Sequence, residues 1–233
     1  GVVDLDTKEE DFITLFMSAM THSDMLFFSD RGKVYQTKMY EIPEGKRTSR
    51  GKAVVNFLSV SAEEHITSLL SRPHGKKERA SSLVLITKNG IIKRVAPAHF
   101  EDVRRSGIIA IKLQGDDLLK WVFPAQKGDH VILTTKKGQA IRFKESDARE
   151  MGRAAQGVKA ISLKKGDELV GADVVPAAEK EAKLLAVTEN GFGKKTGVDL
   201  PGVGEPGFGP QGGVGPFPPL SPPPIPPIGF SPA

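Results

Sequence analysis

Four short apolar stretches along the chain each lead into a polar turn that closes on a glycine. The stretches begin at Met25, Leu83, Val131 and Leu184, and their turn glycines are Gly32, Gly90, Gly138 and Gly191. A second strand-like run follows each turn, so each unit predicts a β-hairpin. The turn glycines are 58, 48 and 53 residues apart, which indicates an internal repeat.

Each predicted hairpin except the last is followed by a second glycine and further strand-like runs. The second glycines are Gly51, Gly107 and Gly157, which lie 19, 17 and 19 residues after their turn glycines. The third runs cover 53–58, 108–113 and 158–163, and fourth runs cover 118–123 and 169–175. Four strands in roughly 50 residues are typical of a propeller blade. The pattern predicts an all-β fold with three full blades and part of a fourth, and short helical turns near 97–104 and 145–151.

The composition changes sharply near the end of the chain. Residues 197–233 contain 12 of the 17 prolines and 9 of the 25 glycines, with only two charged residues. Such a segment has few groups to bury, so we predict a folded domain over 1–196 and a tail over 197–233 that is disordered or of doubtful sequence. Residues 1–196 then carry 33 basic against 26 acidic side chains, a formal charge of +7.

Several classes of protein are excluded by composition. The chain has no cysteine, which excludes a disulfide scaffold and a cysteine-based zinc site. No apolar run reaches 18 residues and no secretory leader is present, so we expect a cytoplasmic protein that is not associated with a membrane. The five histidines are far apart, and no nucleophile, acid–base or phosphate-loop motif has the required context, so we expect no catalytic residue, metal or cofactor.

Basic residues recur at matched positions of the repeat, after the turn glycines and around the second glycines. The recurring set is Lys33, Lys38, Lys46, Arg47, Arg50, Lys52, Lys93, Arg94, Arg104, Arg105, Arg142, Lys144, Arg149, Arg153, Lys159, Lys194 and Lys195. Matched positions in neighbouring blades lie on one rim, so these charges form a positive band that attracts a polyanion. Any one of these residues, taken by itself, could equally be an ordinary solvent-exposed side chain at the end of a strand, with no role in binding. Aromatic residues are few, which favours double-stranded DNA bound through its backbone over stacked single strands.

Several longer motifs resemble one known family. The first blade of the C-terminal domain of the DNA gyrase A subunit is similar to four stretches of this chain, residues 33–35, 40–44, 47–52 and 54–58. The stretch Met151-Gly-Arg-Ala-Ala-Gln-Gly-Val158 resembles its third-blade motif, and Thr188-Glu-Asn-Gly-Phe-Gly-Lys-Lys-Thr196 resembles its fourth-blade motif.

This resemblance implies a β-pinwheel that bends duplex DNA around a basic rim and presents it to a type IIA topoisomerase core for negative supercoiling. It also implies a protein that is associated with the nucleoid. It implies a non-catalytic domain, because the DNA-cleaving tyrosine of the family lies outside these motifs. The implied protein partners are the remainder of the gyrase A polypeptide and the gyrase B polypeptide, in an A2B2 assembly.

Two features depart from the gyrase pattern. Only Gly1-Val2 resembles the trailing end of the family's Q-R-R-G-G-K-G box, and the proline-rich tail stands where further blades would follow. The A subunit of topoisomerase IV is a near relative that the motifs leave open, and a protein-binding propeller is the alternative from another functional class. The amino-acid sequence of the first-blade motifs favours gyrase.

Overall fold

The computed structural model describes residues 13–45, 51–73, 80–179, 181–188 and 191–197. Within these ranges the structure has thirteen strands, four short 3-10 helices and no α-helix. The strands are β1 (Asp24–Ser29), β2 (Lys33–Lys38), β3 (Ile66–Arg72), β4 (Ser82–Thr87), β5 (Ile91–Val95), β6 (Ile108–Ile109), β7 (Leu119–Ala125), β8 (His130–Thr135), β9 (Ala140–Lys144), β10 (Val158–Lys159), β11 (Leu169–Val175), β12 (Lys183–Val187) and β13 (Gly193–Gly197). The 3-10 helices are Met39–Glu41, Val54–Asn56, Pro97–Phe100 and Glu145–Asp147.

The strands form four successive antiparallel sheets, which we call blades 1 to 4. Their strand orders are β3-β1-β2-β6, β10-β5-β4-β7, β11-β8-β9 and β12-β13. The strand β3 contacts β7, and β7 contacts β11, so these three strands form the inner side of the array. The short strands β6 and β10 are therefore the outermost strands of blades 1 and 2. The predicted all-β, bladed fold is confirmed.

The outermost strand of a blade comes from the next repeat of the sequence. In blade 1, β6 pairs with β2, with Ile108 opposite Val34 and Ile109 opposite Lys33. In blade 2, β10 pairs with β5, with Val158 opposite Ile92. We call this arrangement strand exchange. It corrects the sequence-based interpretation, which assigned all four strands of a repeat to one blade.

Strand exchange also explains why the third strand-like run of a repeat forms only a short strand. Only two residues of 108–113 and two of 158–163 pair as strands, because each run then leaves the ladder and crosses the turn of the preceding hairpin. The amides of Ala110 and Ile111 donate to the Gly32 carbonyl, and the amide of Ala160 donates to the Gly90 carbonyl. The run 53–58 was predicted as a strand, but it contains the 3-10 helix Val54–Asn56. Among the described residues no hairpin precedes blade 1, so this run has no strand to join.

The core lies between the blades and explains why the first hairpin strands of blades 1 to 3 are mainly apolar on both faces. In β1, Leu26 and Phe28 belong to the cluster shared with blade 2, whereas Met25 and Phe27 face a separate cluster on the other side. The strands β4 and β8 divide their residues between two clusters in the same way. A strand that is buried on both faces does not alternate apolar and polar residues.

Two glycines allow the close approach that strand exchange needs. Gly107 has a φ of +78°, and a Cβ atom there would lie 2.5 Å from the ring of Tyr35. Gly157 has a φ of +97°, and a Cβ atom there would lie 2.7 Å from the carbonyl oxygen of Ile92. Both glycines directly precede an exchanged strand, so their missing side chains let that strand reach the neighbouring hairpin.

The predicted boundary at residue 196 falls at the edge of the described residues. Strand β13 extends through Gly197, one residue beyond that boundary. The rest of the predicted tail, 198–233, lies outside the described residues, and the domain division stays a prediction.

Candidate nucleic-acid interface

The predicted basic residues gather along the outer side of the blades, which we call the outer edge. The outer edge consists of the second hairpin strands β2, β5, β9 and β13, and of the segments 104–109 and 149–159. The first segment follows β2, because Arg105 reaches Glu41 at one end and Ile108 pairs with Val34 at the other. The second follows β5, because the amide of Met151 donates to the Arg94 carbonyl and Val158 pairs with Ile92.

Most of the residues singled out from the sequence lie on this edge. They are Lys33 and Lys38 on β2, Arg94 on β5, Arg142 and Lys144 on β9, Lys194 and Lys195 on β13, and Arg104, Arg105, Arg149, Arg153 and Lys159 in the two segments. Lys52 is exposed but lies beside the 3-10 helix Val54–Asn56 rather than on an outer strand. Lys46, Arg47 and Arg50 lie outside the described residues.

Acidic side chains neutralise part of the outer edge. The ion pairs are Lys33–Glu64 at 3.2 Å, Lys38–Asp24 at 2.6 Å, Arg94–Glu145 at 3.4 Å and Arg105–Glu41 at 2.6 Å. Glu145 is almost fully buried and also accepts a hydrogen bond from the amide of Gly128. The Arg94–Glu145 ion pair therefore joins blade 2 to blade 3 and is part of the structure between them. A cation that is already paired contributes less to binding a phosphate.

Two of these acidic partners are held in the ionised form. The hydroxyl of Thr37 lowers the pKa of Glu41, with further contributions from the Lys38 amide and Arg105. Burial opposes ionisation of Glu64, but hydrogen bonds from Tyr35, the Ser61 amide and Lys33 outweigh it and lower its pKa. Burial and the bond to Glu64 raise the pKa of Tyr35, so its hydroxyl stays protonated and donates to the carboxylate.

A second group of basic residues on the outer edge keeps its charge available. Arg104, Lys144, Arg149, Lys159 and Lys195 are exposed, and Arg153 is half-buried. Within the described ranges none of these six side chains forms an ion pair with an acidic side chain. Guanidinium and ammonium groups in a row along a curved edge can each donate hydrogen bonds to backbone phosphates.

The structure corrects the prediction for Lys93. This side chain was expected on the rim, but it is fully buried. Its ammonium group donates to the carbonyl oxygens of Ala110, Arg153 and Ala155. Lys93 therefore cannot touch DNA in this conformation.

Sequence reasoning missed Lys112, an exposed basic residue that lies beside the outer edge. Lys112 is exposed, and its amide donates to the Ala155 carbonyl at 3.1 Å. It therefore lies beside the segment that carries Arg153. Lys112 is in the third run of its repeat, and strand exchange places that run at the edge of the preceding blade.

Comparison with known proteins decides the family. The family model described as DNA gyrase C-terminal domain, beta-propeller, matches residues 23–71, 81–126, 129–176 and 182–200. The chain belongs to the DNA gyrase C-terminal domain family. It is 40% identical over 199 residues to the DNA gyrase A subunit of Staphylococcus aureus strain MRSA252, a match that covers 85% of this chain and 22% of the relative. The chain thus spans about a fifth of the length of the curated relatives that it matches.

Solved structures of the gyrase C-terminal domain and its relatives share the fold. The C-terminal domain of DNA topoisomerase IV superposes with a TM-score of 0.72 at 24% identity, over 84% of this chain and 59% of that structure. The DNA gyrase A C-terminal domain superposes with a TM-score of 0.61 at 28% identity, over 77% of this chain and 56% of that structure. The predicted β-pinwheel and the predicted gyrase resemblance are confirmed.

The described residues contain neither a metal-binding cluster nor a helix that could span a membrane. In the described part of the chain, no three histidine, aspartate or glutamate side chains come together as ligands for a metal ion. No helix in the same ranges has the length and apolar character that crossing a bilayer requires.

Proposed function

We propose that this domain binds double-stranded DNA along its outer edge and bends it, as the accessory domain of a DNA gyrase A subunit. The observation that carries the proposal is a row of exposed basic residues on successive blades that form no ion pair with any acidic side chain the structure describes. It includes Arg104 on blade 1 and Arg149 and Lys159 on blade 2. Phosphate contacts of this kind are independent of sequence and depend on salt.

The proposed parent enzyme is a type II topoisomerase in which this domain performs no bond cleavage. DNA cleavage and ATP hydrolysis would belong to other parts of the gyrase A polypeptide and to the gyrase B polypeptide, assembled as A2B2. The 40% identity over 199 residues to a DNA gyrase A subunit supports gyrase as the parent enzyme. The match to the topoisomerase IV domain, at 24% identity, reflects the shared fold.

Removing two positive charges from the outer edge is expected to weaken DNA binding to the same extent whatever the base sequence of the DNA. In the variant Arg104→Gln/Arg149→Gln, the affinity for a random-sequence duplex should fall on the order of tenfold at 0.1 M salt. The slope of log affinity against log salt should become shallower by about 2, because each lost phosphate contact removes about one released counterion. Fluorescence anisotropy with a labelled duplex over a salt series measures both quantities.

The matched control removes the same charge elsewhere. Lys164 and Lys165 are exposed and lie in the turn that leads into the inner strand β11. The variant Lys164→Gln/Lys165→Gln should retain most of the affinity and nearly the wild-type salt slope. Equal losses in the two variants would mean that net charge rather than the outer edge governs binding, and would contradict the proposed interface.

DNA bending with a definite hand is expected to change DNA topology. The protein is bound to nicked circular duplex, the nick is sealed with ligase, and the topoisomers are separated on a gel after the protein is removed. A shifted distribution of linking number is the expected result. An unshifted distribution in samples that contain retarded complexes would show binding without wrapping and would overturn the wrapping part of the proposal.

A further inference from the structure

Lys93 is a buried cation at the point where the two exchanged strands meet. It lies on β5 and is fully buried. Its Nζ atom lies 2.8 Å from the carbonyl oxygen of Ala110 and 3.1 Å from that of Ala155, and it also donates to the carbonyl of Arg153. An ammonium group has three N–H donors, so the three carbonyls satisfy it completely.

The three carbonyls belong to the two exchange junctions. Ala110 directly follows β6, the outermost strand of blade 1. Arg153 and Ala155 precede β10, the outermost strand of blade 2. The segment 151–157, which we call the junction loop, is held from a second side because the Lys112 amide also donates to Ala155. One ammonium group therefore ties the edges of blades 1 and 2 together.

The charge of Lys93 is balanced by backbone dipoles rather than by a carboxylate. Among the described residues no acidic side chain forms an ion pair with it. The charged groups on the packed segments include Arg153 in the junction loop, Lys112 beyond Ala110, and Lys159 on β10, which pairs with β5. On β5 itself, Arg94 is paired with Glu145 and forms a backbone β-bridge with Glu150. Burial, and then repulsion by Arg153, lower the pKa of Lys93 to about 8.

We propose that Lys93 is a positioning residue that fixes the junction loop against blade 1, so that Arg153 and its neighbours on the outer edge face the same DNA duplex. This inference rests on the proposed DNA-binding function. Without the third N–H donor one carbonyl of the junction loses its partner, and the loop is no longer held in one conformation. DNA affinity should then depend on whether Lys93 carries its proton.

The first test is the pH profile of DNA binding at constant salt. Wild-type affinity should fall several-fold between pH 7 and pH 9, because Lys93 is mostly charged at pH 7 and mostly neutral at pH 9. The variant Lys93→Met should bind about tenfold more weakly at pH 7, the equivalent of one charge-assisted hydrogen bond, and its affinity should be almost independent of pH over this range.

The matched control is Lys159→Met, which removes an exposed lysine from β10 on the same edge. This variant should bind DNA more weakly than wild type, but its DNA affinity should fall between pH 7 and pH 9 by the same factor as that of wild type. Any other group that titrates in this range is common to all three proteins. A flat wild-type profile, or the same fall in Lys93→Met as in wild type, would overturn the proposal.

A second readout needs no DNA. In Lys93→Met, hydrogen exchange at the Lys112 amide should accelerate at least tenfold at pH 7, because its acceptor Ala155 is released. Exchange at Gly138, whose amide donates to Thr135 in the turn of blade 3, should not change. Unchanged exchange at Lys112 would overturn the positioning role in the folded variant. If wild type fails to bind duplex DNA, the proposed function is refuted, and exchange at Lys112 still tests how the loop is held.

Discussion

Replacing Gly157 with alanine is expected to lower the free energy of unfolding by about 3 kcal/mol. The residue has a φ of +97°, where an L side chain is strained, and the new Cβ would lie 2.7 Å from the carbonyl oxygen of Ile92. That oxygen belongs to the backbone of β5 and cannot move without disturbing the hairpin. Urea unfolding followed by the fluorescence of the single tryptophan, Trp121, measures the change.

Gly152 is the matched control for this substitution because it lies in the same loop. Its φ lies outside the left-handed region, and a Cβ atom there would have open space around it. Gly152→Ala should change the free energy of unfolding by less than about 1 kcal/mol. Equal destabilisation by the two alanines would contradict the view that close approach at the exchanged strand, rather than loop flexibility, requires Gly157.

Replacing Phe28 with alanine is expected to cost about 4 kcal/mol of stability. Phe28 lies on β1, is fully buried, and packs its ring edge-to-face against Phe100 at 5.8 Å between centroids. Both rings belong to the cluster between blades 1 and 2, so the cavity opens where two blades join. A loss of this size is a large share of the stability of a typical domain.

Phe16 provides the control for Phe28. It precedes β1 and is 85% exposed, so Phe16→Ala should change stability by no more than about 0.5 kcal/mol. Thermal and urea unfolding of both variants give the comparison. A cost below about 1 kcal/mol for Phe28→Ala would mean that the blades can repack, and that the cluster between them does not hold the array together.

The hairpins could be predicted because their signals are local. Each combines an apolar first strand with a glycine turn over about ten residues, and the structure places hairpins at all four positions. Strand exchange could not be predicted in the same way. The strands β6 and β10 have two residues each, and their partners lie about 75 and 67 residues earlier in the chain.

Lys93 shows why part of the candidate site also escapes sequence analysis. The run Ile91-Ile-Lys-Arg94 does not alternate, so nothing in it distinguishes an inward lysine from an outward one. The carbonyls that make burial tolerable come from residues 17 to 62 positions away. The acidic partners, such as Glu64 for Lys33, are also distant in the sequence. The sequence therefore predicts the row of basic residues but does not show which of them already form ion pairs.

Strand exchange also has a consequence for synthesis on the ribosome. Blade 1 begins at Asp24 and is complete only when Ile109 emerges, roughly 4 to 17 seconds later at usual translation rates. Until then the edge of β2 offers unpaired backbone groups to any neighbouring nascent chain. Each new repeat closes the edge of the blade before it and opens one of its own, so a growing chain carries a nearly constant number of unpaired edges however many repeats it has.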